Sequence, residues 1–241
     1  MNLADQYASS YSVAQAPADA RTTFYQKTYL HVAAAVGALI LFEAFLISTP
    51  AISIPLINLM VGGKYSWLVV MALFMGASWI AEKWAHSNTS KGLQYAGLAL
   101  TVVAYGLVFL PVLFLAMVQM NAPALVGQAG IITGGLVAGL TFVAFSTKKD
   151  FSFLGGFLKI AGFIAIGLIA ASFFFDGLNL GTWFSGAMIL VMGASILYQT
   201  SNIIHHYRPD QHVAASLGLF ASIATLFFYV LRLLMALRGN D

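Results

Sequence analysis

Apolar residues fill the chain in long blocks, and the polar ones gather in the short gaps between them. The blocks run roughly Thr28–Ile47, Ser66–Ala85, Leu93–Met117, Val126–Ser146, Phe153–Phe175, Trp183–His205 and Val213–Leu237. Each is near the 20 residues that a helix needs to cross a bilayer. No block shows the strict alternation of a half-buried strand. The pattern therefore predicts an all-α membrane protein with seven spans in one bundle over residues 26–241. The first 25 residues are small and polar, without the basic start and apolar centre of a signal peptide, and read as a flexible tail.

Composition sharpens this picture. Of 241 residues, 60% are hydrophobic and 8% charged, against about a quarter charged in soluble domains. Such a chain cannot cover a water-facing surface, and the lipid bilayer is its expected surrounding. A formal charge of +3 is too small and scattered for a nucleic-acid partner. The absence of cysteine excludes disulfides and thiolate chemistry.

The distribution of positive charge predicts orientation. Arg21, Lys27, Lys83, Lys91, Lys148, Lys149, Lys159 and Arg208 fall on the side of the N-terminus, while Lys64, Arg232 and Arg238 fall on the other. Basic residues are retained on the cytoplasmic side, which predicts a cytoplasmic N-terminus and an external C-terminus.

Candidate chemistry is sparse. A retinal Schiff base would need a lysine on the last span, and the last lysine is Lys159. Gly76-Ala77-Ser78 and Gly193-Ala194-Ser195 are fragments of a serine-protease motif, and the five histidines lack zinc spacing with a carboxylate. No enzyme activity, cofactor or metal is expected. Gly130-x-x-x-Gly134 and Gly135-x-x-x-Gly139 in the fourth span, with Gly155, Gly156, Gly162 and Gly167 in the fifth, predict close helix approach.

Polar residues inside the spans are the remaining signal. Ser195, Gln199, Asn202 and His206 recur along one face of the sixth span, and Ser222, Thr225, Tyr229 and Arg232 along one face of the seventh. The two stripes should face each other or a shared hydrated cavity. They would either glue the helices together or line a permeation or sensing path. Glu43 and Arg232 are intramembrane charges at similar depth on the first and last spans, which either pair or snorkel separately to the interface.

The segments TKKDFSFL (Thr147 to Leu154), ILYQTSNIIHH (Ile196 to His206), SLGLFASIATLFFYVLRLL (Ser216 to Leu234) and KTYLHVAAAV (Lys27 to Val36) resemble the Bax inhibitor-1 family over residues 21–237. The resemblance implies a central last helix with the other spans around it in two groups of three. It also implies a link to a pH-sensitive calcium leak, sensed by two aspartates that hydrogen-bond across the sixth and seventh helices. Those positions correspond here to Gln199 and Ser222, which cannot titrate near neutrality. Ala81, Glu82 and Lys83 stand where some relatives carry a basic latch, so Glu82 is expected to bring a carboxylate toward the same cavity. The resemblance implies a bacterial inner-membrane protein, either a cation leak with a neutral polar gate or a non-conducting regulator that binds a membrane protease or another membrane protein.

Overall fold

Hydrocarbon offers backbone groups no hydrogen-bond partner, so apolar blocks of this length close their own bonds as helices. The computed structural model describes residues 11–63, 65–87, 90–175 and 180–238. Among them are eight α-helices: α1 (Ala18–Ser48), α2 (Pro50–Val61), α3 (Ser66–Ala85), α4 (Lys91–Phe114), α5 (Pro123–Thr147), α6 (Leu154–Phe174), α7 (Thr182–His205) and α8 (His212–Arg238). All but α2 are long and apolar enough to span a membrane. Lys64, one of the basic residues expected on the far side, lies outside the described residues, as do the first ten residues of the expected tail.

Two elements differ from the sequence-based expectation. Helix α2 fills a connection for which the sequence predicts no helix, and it carries two prolines. Yet Pro50 opens the helix, where a missing N–H costs nothing, and only Pro55 lies inside it. The second difference concerns the tail. Residues 11–25 are not a loose extension: Val13 is fully buried and its N–H donates to the Tyr207 carbonyl at 2.8 Å. α1 starts at Ala18, ahead of the apolar block, because Phe24 and Thr28 already bury against the bundle.

Helix α8 is buried over most of its circumference, which marks a helix surrounded by protein. It packs against α1, α3, α4, α5 and α7. Around it, α1, α3 and α4 form one group of three, and α5, α6 and α7 form the other. The groups meet mainly through α8 and through the turn that ends α4. Beyond Pro111 that helix widens into a π-turn at Leu115–Gln119, closed by Met120 N–H to Leu115 O at 2.8 Å. Elsewhere the seams between the groups stay open as two grooves, of about 920 Å³ between α1 and α5 and about 700 Å³ between α3, α4 and α6.

The glycine pairs of α5 do not produce the close approach expected of them. A Cβ at Gly130, Gly134, Gly135 or Gly139 would meet nothing within 4 Å, and the same holds for Gly156, Gly162 and Gly167, whereas at Gly155 on α6 the expected approach is present, 3.0 Å from the Tyr198 ring of α7. Helix α5 instead packs through Leu125, Ala129 and Ala144, which are buried. Close approach occurs at Gly97 on α4, where a Cβ would stand 2.5 Å from the Ala81 carbonyl of α3.

Candidate functional site

The polar stripes of α7 and α8 do face each other, and their contacts form a seam beside the bundle axis. Ser195 Oγ lies 2.8 Å from Ser222 Oγ, and Ser222 donates in turn to the Gly218 carbonyl at 3.0 Å. Across the seam Ser222 therefore pairs with Ser195 and not with Gln199. Gln199 lies against Gly218: a Cβ there would sit 2.9 Å from its Oε1. The missing side chain at 218 is what lets the amide lie flat on α8. Gln199 and Ser222 thus both touch Gly218, the first at its Cα and the second at its carbonyl.

Toward the far end, opposite the N-terminus, Thr225 donates to Ala221 O at 2.8 Å. The Tyr105 hydroxyl from α4 joins it, 3.0 Å from Thr225 Oγ1 and 3.1 Å from the same carbonyl. Tyr105 is held edge-on by Phe74, Phe109 and Phe220. Above it opens the 700 Å³ groove, lined by Tyr229, Arg232, Met71 and Ser172 among others.

Arg232 sits over the Phe228 ring at 5.9 Å. The alternative pairing with Glu43 is not formed. Glu43 lines the groove on the other side of α8, and neither of its carboxyl oxygens has a partner. Similar depth on two helices did not bring the two charges to the same side of the central one.

At the near end the α5–α6 loop folds onto the end of α7. Lys148 takes a left-handed conformation (φ 52°) that ends α5. Asp150 then accepts from Ser152 N–H at 2.8 Å and meets His206 Nε2 at 3.0 Å. Ser201 donates to Asp150 at 3.3 Å and accepts from Phe151 N–H at 2.8 Å. The Asp150 carboxyl is held down to about 2, chiefly by the Ser152 N–H, with the Ser152 hydroxyl and His206 adding to it. Asn202 is half-buried, and its carbonyl accepts from His206 and Tyr207 N–H groups where α7 ends.

Glu82 does not reach the seam. It is exposed at the near end of α3, where its charge is felt by Tyr207, whose phenol is pushed up to about 12 mainly by burial. Two contributors, Tyr105 and Asp150, were missed as site residues. Tyr105 carries no periodic signal in its apolar span. Asp150 is a lone acid beside two lysines, and that contrast was the available clue.

The family model described as inhibitor of apoptosis-promoting Bax1 matches residues 21–239. The chain belongs to the Bax inhibitor-1 family. Bax inhibitor 1 of Schizosaccharomyces pombe is 37% identical over 116 residues, covering 47% of this chain and 43% of that protein. A protein of Neisseria meningitidis is 29% identical over 173 residues, covering 72% of this chain and 74% of its own. One of Pseudomonas aeruginosa is 33% identical over 121 residues, or 50% and 54% of the two chains. The chain thus spans about half the length of the first two curated relatives that it matches at 33% or better. No solved structure matches it. Family and helices together make this an integral membrane protein with the central last helix expected of it.

Proposed function

We propose that this member of the family is a leak for small cations whose gate is charge-neutral and lies on the α7–α8 seam. The observation that carries the reading is the Ser195–Ser222 bond beside the Gln199–Gly218 contact. It closes a line of polar side chains that continues to Thr225 and Tyr105 on one side and to Asn202 and His206, with Asp150 beyond, on the other. Gln199, Ser222, Asn202 and Thr225 supply hydrogen bonds without charge, so opening this gate separates helices without separating ions. Interhelical bonds of this kind average about 0.6 kcal/mol in membranes, so the polar contacts themselves add little to the cost of opening.

Eight of eleven basic residues at the end of the N-terminus support a cytoplasmic N-terminus and an external C-terminus. The bacterial relatives support an inner-membrane location.

A second reading, a non-conducting regulator of a membrane protease or another membrane protein, is favoured by Arg232. It lines the far groove, and a fixed cation there repels permeant cations. Flux from the purified protein in liposomes separates the two. The leak predicts a basal cation flux that rises when Ser195→Ala and Ser222→Ala remove the closing bond. No flux from either protein, with a protease retained on purification from native membranes, would leave the regulator.

A further inference from the structure

The 920 Å³ groove between α1 and α5 lies across α8 from the polar seam, and nothing in the leak reading uses it. Its floor is apolar, formed by Phe220 and Phe227 of α8 with Phe109 of α4, and its α5 wall is opened by Gly130 and Gly134. Those glycines have free space where a side chain would stand, so the groove is carved by missing side chains. The helices beside it carry Ile40, Leu41 and Ile131 exposed, so its mouth faces the hydrocarbon of the bilayer.

One feature is at odds with a purely greasy occupant. Glu43 lines the groove at only 5% exposure, and both its oxygens lack a partner in the protein. Thr133, at 4% exposure, presents a second unpartnered oxygen in the same groove. Unpartnered buried polar groups are costly, and in hydrocarbon water does not supply the bond. A bare metal ion does not fit, because no group of three metal-ligating side chains occurs among the described residues.

Dimensions favour a narrow occupant over a helix. The groove follows α1 from Tyr29 to Ser48, about 28 Å at the helical rise. A volume of about 920 Å³ over that length leaves a mean cross-section of about 33 Å², against about 80 Å² for a helix 10 Å across. Extended hydrocarbon chains fit such a width.

Depth orders the ligand. Glu43 lies five residues before the last residue of α1, about 7.5 Å from its far end, close to headgroup level. We propose that the groove binds a membrane phospholipid of the far leaflet, with an acyl chain along the α8 floor and an N–H-bearing headgroup hydrogen-bonded to Glu43. Thr133, further along, is placed to donate to an ester carbonyl.

The test is native mass spectrometry of the full chain, delipidated in detergent and titrated with dioleoyl phosphatidylethanolamine or, as a headgroup without N–H donors, dioleoyl phosphatidylcholine. The wild type should retain phosphatidylethanolamine in preference. Glu43→Leu should weaken that binding about tenfold and abolish the preference. Glu43→Gln, which keeps an accepting oxygen, should preserve much of it. Gly130→Leu with Gly134→Leu should block both lipids while helical content and thermal midpoint hold, because the new side chains enter open space. Equal binding of the two lipids by the wild type, or undiminished binding by the glycine variant, would overturn the proposal. So would a tightly held polypeptide in place of lipid. None of these outcomes bears on ion flux, so this site and the neutral gate stand or fall separately.

Discussion

Gly97→Ala should be among the most damaging single-methyl changes in this protein. The new Cβ would stand 2.5 Å from Ala81 O, 2.9 Å from Ala85 N and 3.2 Å from Trp84 Cβ, all on α3. Two of these are backbone atoms, so no rotamer change relieves them, and α3 must move away from α4. Overpacking of this kind costs typically 1–3 kcal/mol, and about 3 is expected where backbone gives way. Against that stands the helix preference of alanine over glycine, worth about 1 kcal/mol. The net is a loss of about 2 kcal/mol. Gly134→Ala is the matched control, because it gains the same preference and meets nothing within 4 Å. Thermal unfolding in detergent, followed by loss of the monodisperse peak on size exclusion, should place Gly97→Ala well below the wild type and Gly134→Ala at or above it. Equal midpoints for the two variants would refute the assignment of close packing to α3–α4 rather than to the α5 glycines.

Tyr105→Phe removes a hydroxyl that bridges Thr225 and Ala221 while Thr225 keeps its own bond to Ala221. It should cost about 0.6 kcal/mol, and a double-mutant cycle with Thr225→Val should show coupling of that size; strict additivity would remove the bridge from the account. Asp150→Asn should loosen the α5–α6 loop. Since the folded carboxyl sits at about 2, below the ordinary value of 3.8, its contribution is present above about pH 4 and lost as pH falls toward 2. The thermal midpoint of Asp150→Asn should therefore lie slightly below the wild type at neutral pH and converge with it in acid. The difference should stay under about 1 kcal/mol, because Asp150 and His206 are nearly half exposed; a gap that widens in acid would contradict the bond pattern at the loop.

The spans were legible because bilayer thickness imposes one length on every apolar block, and helical spacing alone brought the α7 and α8 stripes face to face. The partner within the seam was not legible. Pairing Ser222 with Ser195 depends on Gly218 letting Gln199 lie flat, a contact between helices that no single-helix period encodes. The same limit explains Glu43 and Arg232, placed at comparable depth by sequence but turned to opposite sides of α8. The α5 glycines misled for a related reason. Spacing shows that two helices could approach at Gly130 and Gly134, whereas in the fold these glycines face an open groove and not another helix. Tyr105 reaches the seam from a third helix, so its role follows from the packing of α4 and from nothing in its own neighbourhood.

The neutral gate is tested most directly by calcium flux from the purified protein in liposomes, measured with an entrapped dye between about pH 5 and 8. The wild type should give a low flux with little dependence on pH, because Gln199 and Ser222 keep the same charge throughout; what dependence remains should come from Glu82, His206 and His212 further out. Gln199→Asp with Ser222→Asp places two carboxylates beside Gly218, where they titrate as a coupled pair and bind calcium through oxygen, so flux should become pH-dependent. Either single substitution should do much less. A steep pH dependence in the wild type, or a flat response in the double aspartate, would contradict a gate made of these two residues.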